Sequence, residues 1–587
     1  MQVYKAPTHD MRFAIETFDF DRVAEIERYA DFDLETVSAL LEEAAKFCTN
    51  EMLPLNKVGD RVGLVFDPAT GDVKLPDGFR ALYKAYVKSG LGGIAQPAEH
   101  GGGGAPYAIS IGLSELSTAT CKSFSMCPGL NHGLIEALVH HGTDEQKENY
   151  LPHLVSGEWT GTMCLTEPQC GTDLGLIRTK AEPQADGSYK LTGTKIWITF
   201  GEHDLADNII HLVLARLPDA PAGIKGISAF IVPKVLLDGT RNGIRCGGLE
   251  HKMGIHASPT CVMNMEDATG FLVGEAHKGM RSMFVMMNAA RLHVGIEGIA
   301  LGEIAYQAAV AFARDRRQGR SLDPAKRERD KPADNILVHP DVRRQLMNIR
   351  ATTEGLRGLA AWLGNLIDIS HNHADEAVRQ EADDLVALLT PIMKAYGTDR
   401  GFANISDAMQ VTGGAGYTQD WPIEQYLRDG RIAAIYEGTN HVQALDLVGR
   451  KLPRAGGRLY KAFAKRVHQL CKPHEDAGTH AEFVGPLRVA IDRLNAVTME
   501  LGMKGMQDGE EAAAAASNYL TAFGITLLGY IWAREAIAAS EREGRFYRTK
   551  LKTARYYFSH VLPETESLYR IIAAGKANMM AFDDDEF

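Results

Sequence analysis

The chain has 587 residues, 45% of them hydrophobic and 24% charged, with a formal net charge of −12. That length exceeds what one hydrophobic core serves, so several domains are expected. The composition is that of an ordinary globular protein, which excludes a disordered chain, and the negative charge speaks against a nucleic-acid backbone as the main partner. Local arginines and helix starts still leave room for an anionic ligand such as a nucleotide. The eight cysteines, at 48, 121, 127, 164, 170, 246, 261 and 471, form no CxxC pair. This is the pattern of reduced thiols in a cytosolic protein. The first residues, "MQVYKAPTHDMRF", have no apolar core of signal-peptide length. The longest apolar run, "YLTAFGITLLGYIWA" (519–533), is short for a membrane span and reads as a buried helix. A cytoplasmic protein without stable membrane insertion is expected.

In chain order, residues 1–38 stand apart as an N-terminal extension, and 39–160 read as a helical domain. "LETVSALLEEAAKFC" and "LIEALVHHG" carry apolar residues at helical spacing. The cluster "EHGGGGAP" (99–106) lacks the GxxxxGK pattern of a phosphate loop and reads as a flexible connection. "NHGLIEALVHHG" sets His132, Glu136 and His140 at steps of four on one helix face, which could present metal ligands. One helix rarely closes such a site, and no HExxH or cysteine cluster follows, so packed or solvated histidines and no metal are expected.

Residues 161–275 change texture. "LTGTKIWITF", "NIIHLVLARL" and "GISAFIVPK" are β-rich runs separated by Gly, Pro and Asp, the signature of a compact, mostly antiparallel β-domain. It opens with "MCLTEPQCGTD" (163–173), which gathers Thr166, Gly171, Thr172 and Asp173 around a proline turn. Hydroxyls and exposed N–H groups there can hold a polar heterocycle or phosphate, or simply cap the turn. In "KIWIT" (195–199), Trp197 and Thr199 are two apart and share a strand face. They can stack on and hydrogen-bond a flat ring, or sit in the core.

Long helices return over 276–452, interrupted by the solvated loop "RSLDPAKRERDKPADN" (320–335). Within "QVTGGAGYTQDWPIEQYLRDGRIAAIYEGTN" (410–440), Gly413 and Gly414 allow a pyrophosphate close to the backbone. Arg428 and Asp429 can pair. The apolar, strand-like run "IAAIY" then delivers a single carboxylate, Glu437, ahead of Gly438 and a helix start at Thr439 and Asn440. That acid is either an ordinary first-turn glutamate or a base aimed at a substrate. "KLPRAGGRLY" (451–460) punctuates the chain, and 460–587 form a further helical block long enough for its own bundle, with an acidic tail. No internal repeat of fixed period is present.

The T-E-P-x-x-G-T-D turn, the W-I-T strand and the I-Y-E-G-T segment occur here in the order that marks acyl-CoA dehydrogenases, and the chain resembles that family from about residue 40 to 450. "YKAPTHDMRF", "HPDVRRQL" (339–346) and the C-terminal block resemble its larger bacterial subgroup, which includes 3-methylmercaptopropionyl-CoA dehydrogenases. The resemblance implies a mainly α fold with a central β-domain: an N-terminal helical domain, a β-barrel, a four-helix bundle and an extra C-terminal helical domain. It implies FAD as cofactor and α,β-dehydrogenation of a fatty acyl-CoA or 3-methylmercaptopropionyl-CoA to the trans-2-enoyl-CoA.

The same resemblance assigns roles to residues. Glu437 matches the base; some relatives carry it at the place of Ala290, which cannot serve. The Glu437 backbone N–H and a flavin ribityl hydroxyl would polarise the thioester oxygen. Gly438 would leave room for the acyl chain, and Thr172, Asn288, Arg291 and Gly438 would meet substrate. Met163, Leu165, Thr166, Gly171 and Thr172 would flank the isoalloxazine ring, with Trp197 and Thr199 against it. Arg316 would reach a neighbouring subunit's FAD pyrophosphate, and Gln318 falls near the next contact, although "RRQGR" departs from the family pattern there. Gln410, Val411, Gly413 and Gly414 would bind the adenosine side across a homodimer. Thr439 and Asn440 would lie near a phosphate or the flavin edge. Electron-transfer flavoprotein is the implied acceptor. The alternatives are an acyl-CoA oxidase and a non-catalytic acyl-CoA-binding scaffold.

Overall fold

The computed structural model describes residues 4–587. It contains two compact units. One comprises Glu42–Ala105 and Leu116–His293; the other comprises the residues up to Leu41, Pro106–Glu115 and Val294–Phe587. The mainly α architecture with a central β-domain agrees with the sequence reading.

In the first unit, β1 (Val65–Phe66) and β2 (Val73–Lys74) form a hairpin. The strands β3 (Trp159–Cys164), β4 (Lys180–Pro183), β5 (Tyr189–Thr199), β6 (Asn208–Arg216), β7 (Ile227–Pro233), β8 (Ile244–Leu249) and β9 (Thr260–Val273) form one sheet in the order β3-β6-β4-β5-β9-β7, with β8 on β9. β7 also pairs with β6, so the strands from β6 round to β7 close into a barrel, which removes their free edges. Most pairings are antiparallel; β6 runs parallel to β3 and β4.

β6 and β7 read as continuous apolar runs because both of their faces are covered. Val213, Ala215, Phe230 and Val232 join one core. Ile210, Leu212, Leu214, Ala229 and Ile231 join another, with Leu134, Leu138, Leu154 and Met286 from helices. The glycine cluster is not a flexible connection. The N–H groups of Gly102, Gly103 and Gly104 donate to the carbonyls of Pro97, Gly93 and Gln96 at 3.0, 2.9 and 2.9 Å. A Cβ on Gly102 would lie 2.2 Å from the Gln96 carbonyl oxygen, so the glycines serve close backbone packing.

The second unit is helical. The long helices Pro340–Asn372 and Glu376–Thr412 pack on the later part of Gly279–Asp315. A Cβ on Gly298 would stand 2.1 Å from the Gly397 carbonyl oxygen, so these backbones touch. The C-terminal block comprises Arg458–Ala477, Ala481–Gln507, Gly509–Ser540, Arg545–Tyr556 and Glu564–Ala573. Its central helix, Gly509–Ser540, buries Tyr519, Phe523, Ile531 and Trp532. The helix is apolar all round because other helices surround it.

Charged groups lie buried in this unit as well. Arg357 bonds Glu115 (2.6 Å), Glu303 (2.8 Å) and Asp10 (2.5 Å); Lys550 bonds Asp10 (2.6 Å), Glu535 (2.9 Å) and Glu354 (3.1 Å). Arg350 also pairs with Glu354 (2.7 Å). The cluster ties the N-terminal helix Thr8–Thr17 and the C-terminal block to the long helices. All eight cysteines are buried, and none is in a disulfide.

Candidate functional site

Glu437 sits in a short loop between the helices Ile423–Arg431 and Asn440–Asp446. The run before it is not a strand. The helix Ile423–Arg431 continues into a 3-10 turn over Ile432–Ala434, because a short apolar run satisfies a helical end as well as a strand. Arg428 pairs with Glu424 one turn back at 2.8 Å, and buried Asp429 accepts from Gln425 Nε2 at 3.2 Å.

The backbone then does something costly. Glu437 has φ 58° and Gly438 φ 78°, two successive left-handed residues. A non-glycine residue held there costs about 1–3 kcal/mol and persists only where its surroundings determine it. Those surroundings are polar and buried. Gln443 Nε2 donates to the Glu437 carbonyl at 3.0 Å, and Lys394 Nζ donates to the Gly438 carbonyl at 2.8 Å. Lys394 Nζ also reaches Asn440 Oδ1 at 2.9 Å. Asn440 Nδ2 donates to Asp399, Thr398 and the Ala395 carbonyl. The Asn440 side chain is thus committed to the Glu376–Thr412 helix, and Thr439 Oγ1 caps its own helix by accepting from Val442 N at 3.3 Å. A Cβ on Gly438 would meet Gln443 Nε2 at 2.8 Å, so this glycine is needed by the loop itself. A cavity of about 480 Å3 adjoins the loop, lined by Asp399, Phe402, Arg431, Thr439, Asn440 and His441 among others.

Lys394 and Gln443 escaped the sequence reading. The signal for Lys394 is a lone polar residue inside an apolar stretch, "LLTPIMKAYG"; Gln443, among Asn440, His441 and Asp446, has no such signal.

In the first unit, the turn after β3 and the end of β5 form one rigid piece. Glu167 and Cys170 exchange backbone hydrogen bonds, and Ile196 N donates to the Thr166 carbonyl at 2.9 Å. The buried Glu167 carboxylate accepts from Lys195 Nζ at 2.8 Å, Thr179 Oγ1 at 2.6 Å and Arg178 N at 2.6 Å. Burial alone would raise the Glu167 pKa; Lys195 and these donors reverse that and bring it down to about 2. Around this support, Gly171 and Thr172 are exposed, Met163, Leu165, Thr166 and Thr199 half-buried. Trp197 is 60% exposed with φ 61°, at a bulge between Lys195 and Ile198. The bulge turns its ring out of the core.

Lys195→Met is expected to leave Glu167 buried and unpaired, costing about 3–5 kcal/mol. Thermal unfolding checks this near neutral pH. The Glu167 contribution is present above the ordinary carboxylate pKa and fades as pH falls toward 2, so the gap between variant and parent should narrow in acid.

The remaining expected residues divide between the units. On the Gly279–Asp315 helix, Asn288 is exposed and Arg291 buried, both in the first unit. Arg316 and Gln410 are exposed and Val411 is buried, in the unit of Glu437. Gly413 (φ 58°) and Gly414 have open space where a Cβ would stand. His132 Nδ1 bonds Gln96 Nε2 and its ring meets His293 edge-on at 5.3 Å, while His140 pairs with Glu136 at 3.7 Å. Burial lowers the pKa of His132 and takes His293 to about 3. Among the described residues, no group of three or more His, Cys, Asp or Glu could hold a metal ion.

Family models place this geometry in context. The acyl-CoA dehydrogenase N-terminal, middle and C-terminal domain models match residues 35–158, 162–268 and 277–452. The chain belongs to the acyl-CoA dehydrogenase family. An acetyl-CoA dehydrogenase C-terminal-like model also matches 463–583. The 3-methylmercaptopropionyl-CoA dehydrogenase of Ruegeria pomeroyi is 40% identical over 98% of this chain and 99% of its own length. The broad-specificity linear acyl-CoA dehydrogenase FadE5 of Mycobacterium tuberculosis is 32% identical, with both chains covered in full. The fold matches that of Caenorhabditis elegans ACDH-11, solved with C11-CoA, at a TM-score of 0.75 and 18% identity, covering 95% of this chain and 91% of that one. As a member of this family the chain is an oxidoreductase acting on acyl-CoA.

Each unit, taken by itself, has residues that fit one part of a dinucleotide carrying a flat ring: the first unit the ring, the second a phosphate-bearing end. Trp197 offers an exposed aromatic face beside hydroxyl-bearing Thr166, Thr172 and Thr199. Gly413 and Gly414 leave the backbone open, and Arg431 lines the cavity beside the Glu437 loop.

Proposed function

We propose that the protein is an FAD-dependent acyl-CoA dehydrogenase in which Glu437 removes the α-proton of an acyl-CoA thioester. The observation that carries this reading is the backbone of Glu437 and Gly438, held in the left-handed region by Gln443 and Lys394. A strained backbone held by buried polar supports favours a residue with a task.

A carboxylate suits the task when bound substrate excludes water and raises its pKa toward working pH. The Glu437 N–H is the chain's own donor for the thioester oxygen as enolate charge develops, an effect worth about 3 kcal/mol per donor. Met163, Leu165, Thr166, Gly171, Thr172, Trp197 and Thr199 would hold the flavin ring, and Arg316, Gln410, Val411, Gly413 and Gly414 the nucleotide end across a homodimer. When bound, FAD supplies the acceptor for the β-hydrogen as hydride. Thr172, Asn288, Arg291 and Gly438 would contact substrate. The resemblance to the Ruegeria enzyme makes 3-methylmercaptopropionyl-CoA the first substrate to try, with linear acyl-CoAs second.

Turnover under argon with electron-transfer flavoprotein, compared with peroxide release in air, tests the dehydrogenase reading. Reduction of the flavoprotein with little peroxide is expected. Stoichiometric peroxide and no transfer to the flavoprotein would make the protein an oxidase.

A further inference from the structure

The loop that carries Glu437 is held by two elements, the short helix Asn440–Asp446 and the middle of Glu376–Thr412. Both are in contact with the C-terminal block. His441 Nδ1 hydrogen-bonds Ser517 Oγ on the Gly509–Ser540 helix at 3.0 Å. Two residues further along, Gln443 on the same short helix donates to the Glu437 carbonyl. On the other side, Gly524 of the Gly509–Ser540 helix faces Tyr396, which lies between Lys394 and Thr398, both bonded to Asn440. A Cβ on Gly524 would stand 2.6 Å from Tyr396 Cγ, so the block touches this wall with no space to spare. Arg400, one turn beyond Tyr396, pairs with Glu564 of the last long helix.

From these contacts we infer that the C-terminal block is a buttress for the reaction centre, with Ser517 as a positioning residue acting on Glu437 through His441 and Gln443. Ser517, Gly524 and Glu564 meet the two elements that set the left-handed Glu437–Gly438 loop. The Gly524–Tyr396 contact is buried and has little free volume to absorb a displacement, whereas the His441–Ser517 bond lies at the surface and acts through its own geometry. Misplacement of a reacting group by a fraction of an ångström lowers the rate of the chemical step while leaving ligand affinity in place.

This inference rests on the proposed role of Glu437, and its test keeps the two apart. Flavin-loaded wild type, Ser517→Ala, Ser517→Thr, His441→Ala and the Ser517→Ala/His441→Ala double variant are mixed anaerobically with 3-methylmercaptopropionyl-CoA or, should that not react, butyryl-CoA. Flavin content, melting temperature, substrate affinity and limiting rate of flavin reduction are read separately. Ser517→Ala is expected to slow reduction about fivefold, the worth of one hydrogen bond, with flavin content, melting temperature and substrate affinity near wild type. Ser517→Thr restores the rate, and Ser517→Ala adds nothing in the His441→Ala background. Gly524→Ala, which pushes on Tyr396, is a second probe expected to slow reduction with flavin retained. A Ser517→Ala rate equal to wild type, or losses that multiply in the double variant, overturns the inference while leaving the role of Glu437 standing. A wild type whose flavin no acyl-CoA reduces removes the functional reading and this one with it.

Discussion

Glu437→Gln is expected to bind flavin and acyl-CoA as the parent does and to lose at least about 10^3-fold in the rate of flavin reduction, the upper part of the range for a general base. The substitution changes the charge and keeps the shape. The supports of the loop act on main-chain atoms, Gln443 Nε2 on the Glu437 carbonyl and Lys394 Nζ on the Gly438 carbonyl, so they do not depend on the carboxylate. The variant should therefore fold, melt near the parent and stay yellow. Stopped-flow absorbance under argon separates reduction from binding. A modest slowing, within tenfold, would mean that another group takes the proton. Ala290, on the Gly279–Asp315 helix, has no group that could take it.

The second large effect concerns stability. Lys550 is fully buried among the carboxylates of Asp10, Glu354 and Glu535, and Arg357 among those of Asp10, Glu115 and Glu303. Lys550→Met removes one cation and leaves three acids in a dry site, which should cost about 3–5 kcal/mol. Calorimetry and hydrogen exchange in the Thr8–Thr17 helix would report it, since Asp10 ties that helix down.

The cluster also sets a pH dependence with a definite sign. With Arg350, three cations face five carboxylates. Burial raises the pKa of Glu535 to about 7; Lys550 opposes this, and Asp10 and Glu354 reinforce it. The folded protein thus keeps a proton that the unfolded chain releases near the ordinary glutamate pKa. Stability falls as pH rises from the ordinary glutamate range to about 7 and levels off above it. Glu535→Gln should remove that slope and be the more stable form above neutrality. Asp10 runs the other way: the pull of Lys550 and Arg357 outweighs its burial and lowers it to about 2, so its contribution is lost only in strong acid.

Much of this architecture is legible in local pattern, and what escaped depends on long-range packing. Helical spacing in "LETVSALLEEAAKFC" and the β-rich runs after residue 160 announce their elements directly. The acid at 437 also stood out, because a lone carboxylate between an apolar run and a glycine asks for a reason. Its left-handed backbone did not, since φ is imposed by Gln443 and Lys394 from elsewhere in the fold. "IAAIY" looks strand-like because five apolar residues carry no period; the helix before it decides the outcome. "GGGG" suggested mobility, yet glycine also permits the closest backbone contact, and only the partner at Gln96 distinguishes the two. Alternation puts Trp197 on the same strand face as Thr199, and the adjoining bulge interrupts that alternation. The buried cluster around Arg357 and Lys550 joins residues hundreds of positions apart, and no local window contains it.

The central claim is that Glu437 and a flavin act on the two carbons next to a thioester. The most direct measurement is anaerobic mixing of the flavin-loaded protein with 3-methylmercaptopropionyl-CoA and with short, medium and long acyl-CoAs, following the visible absorbance of oxidised flavin. The account predicts rapid bleaching with at least one of them, formation of the trans-2-enoyl-CoA, and neither in Glu437→Gln. Flavin that stays oxidised with every acyl-CoA, or bleaching that survives the loss of the Glu437 carboxylate, would contradict it.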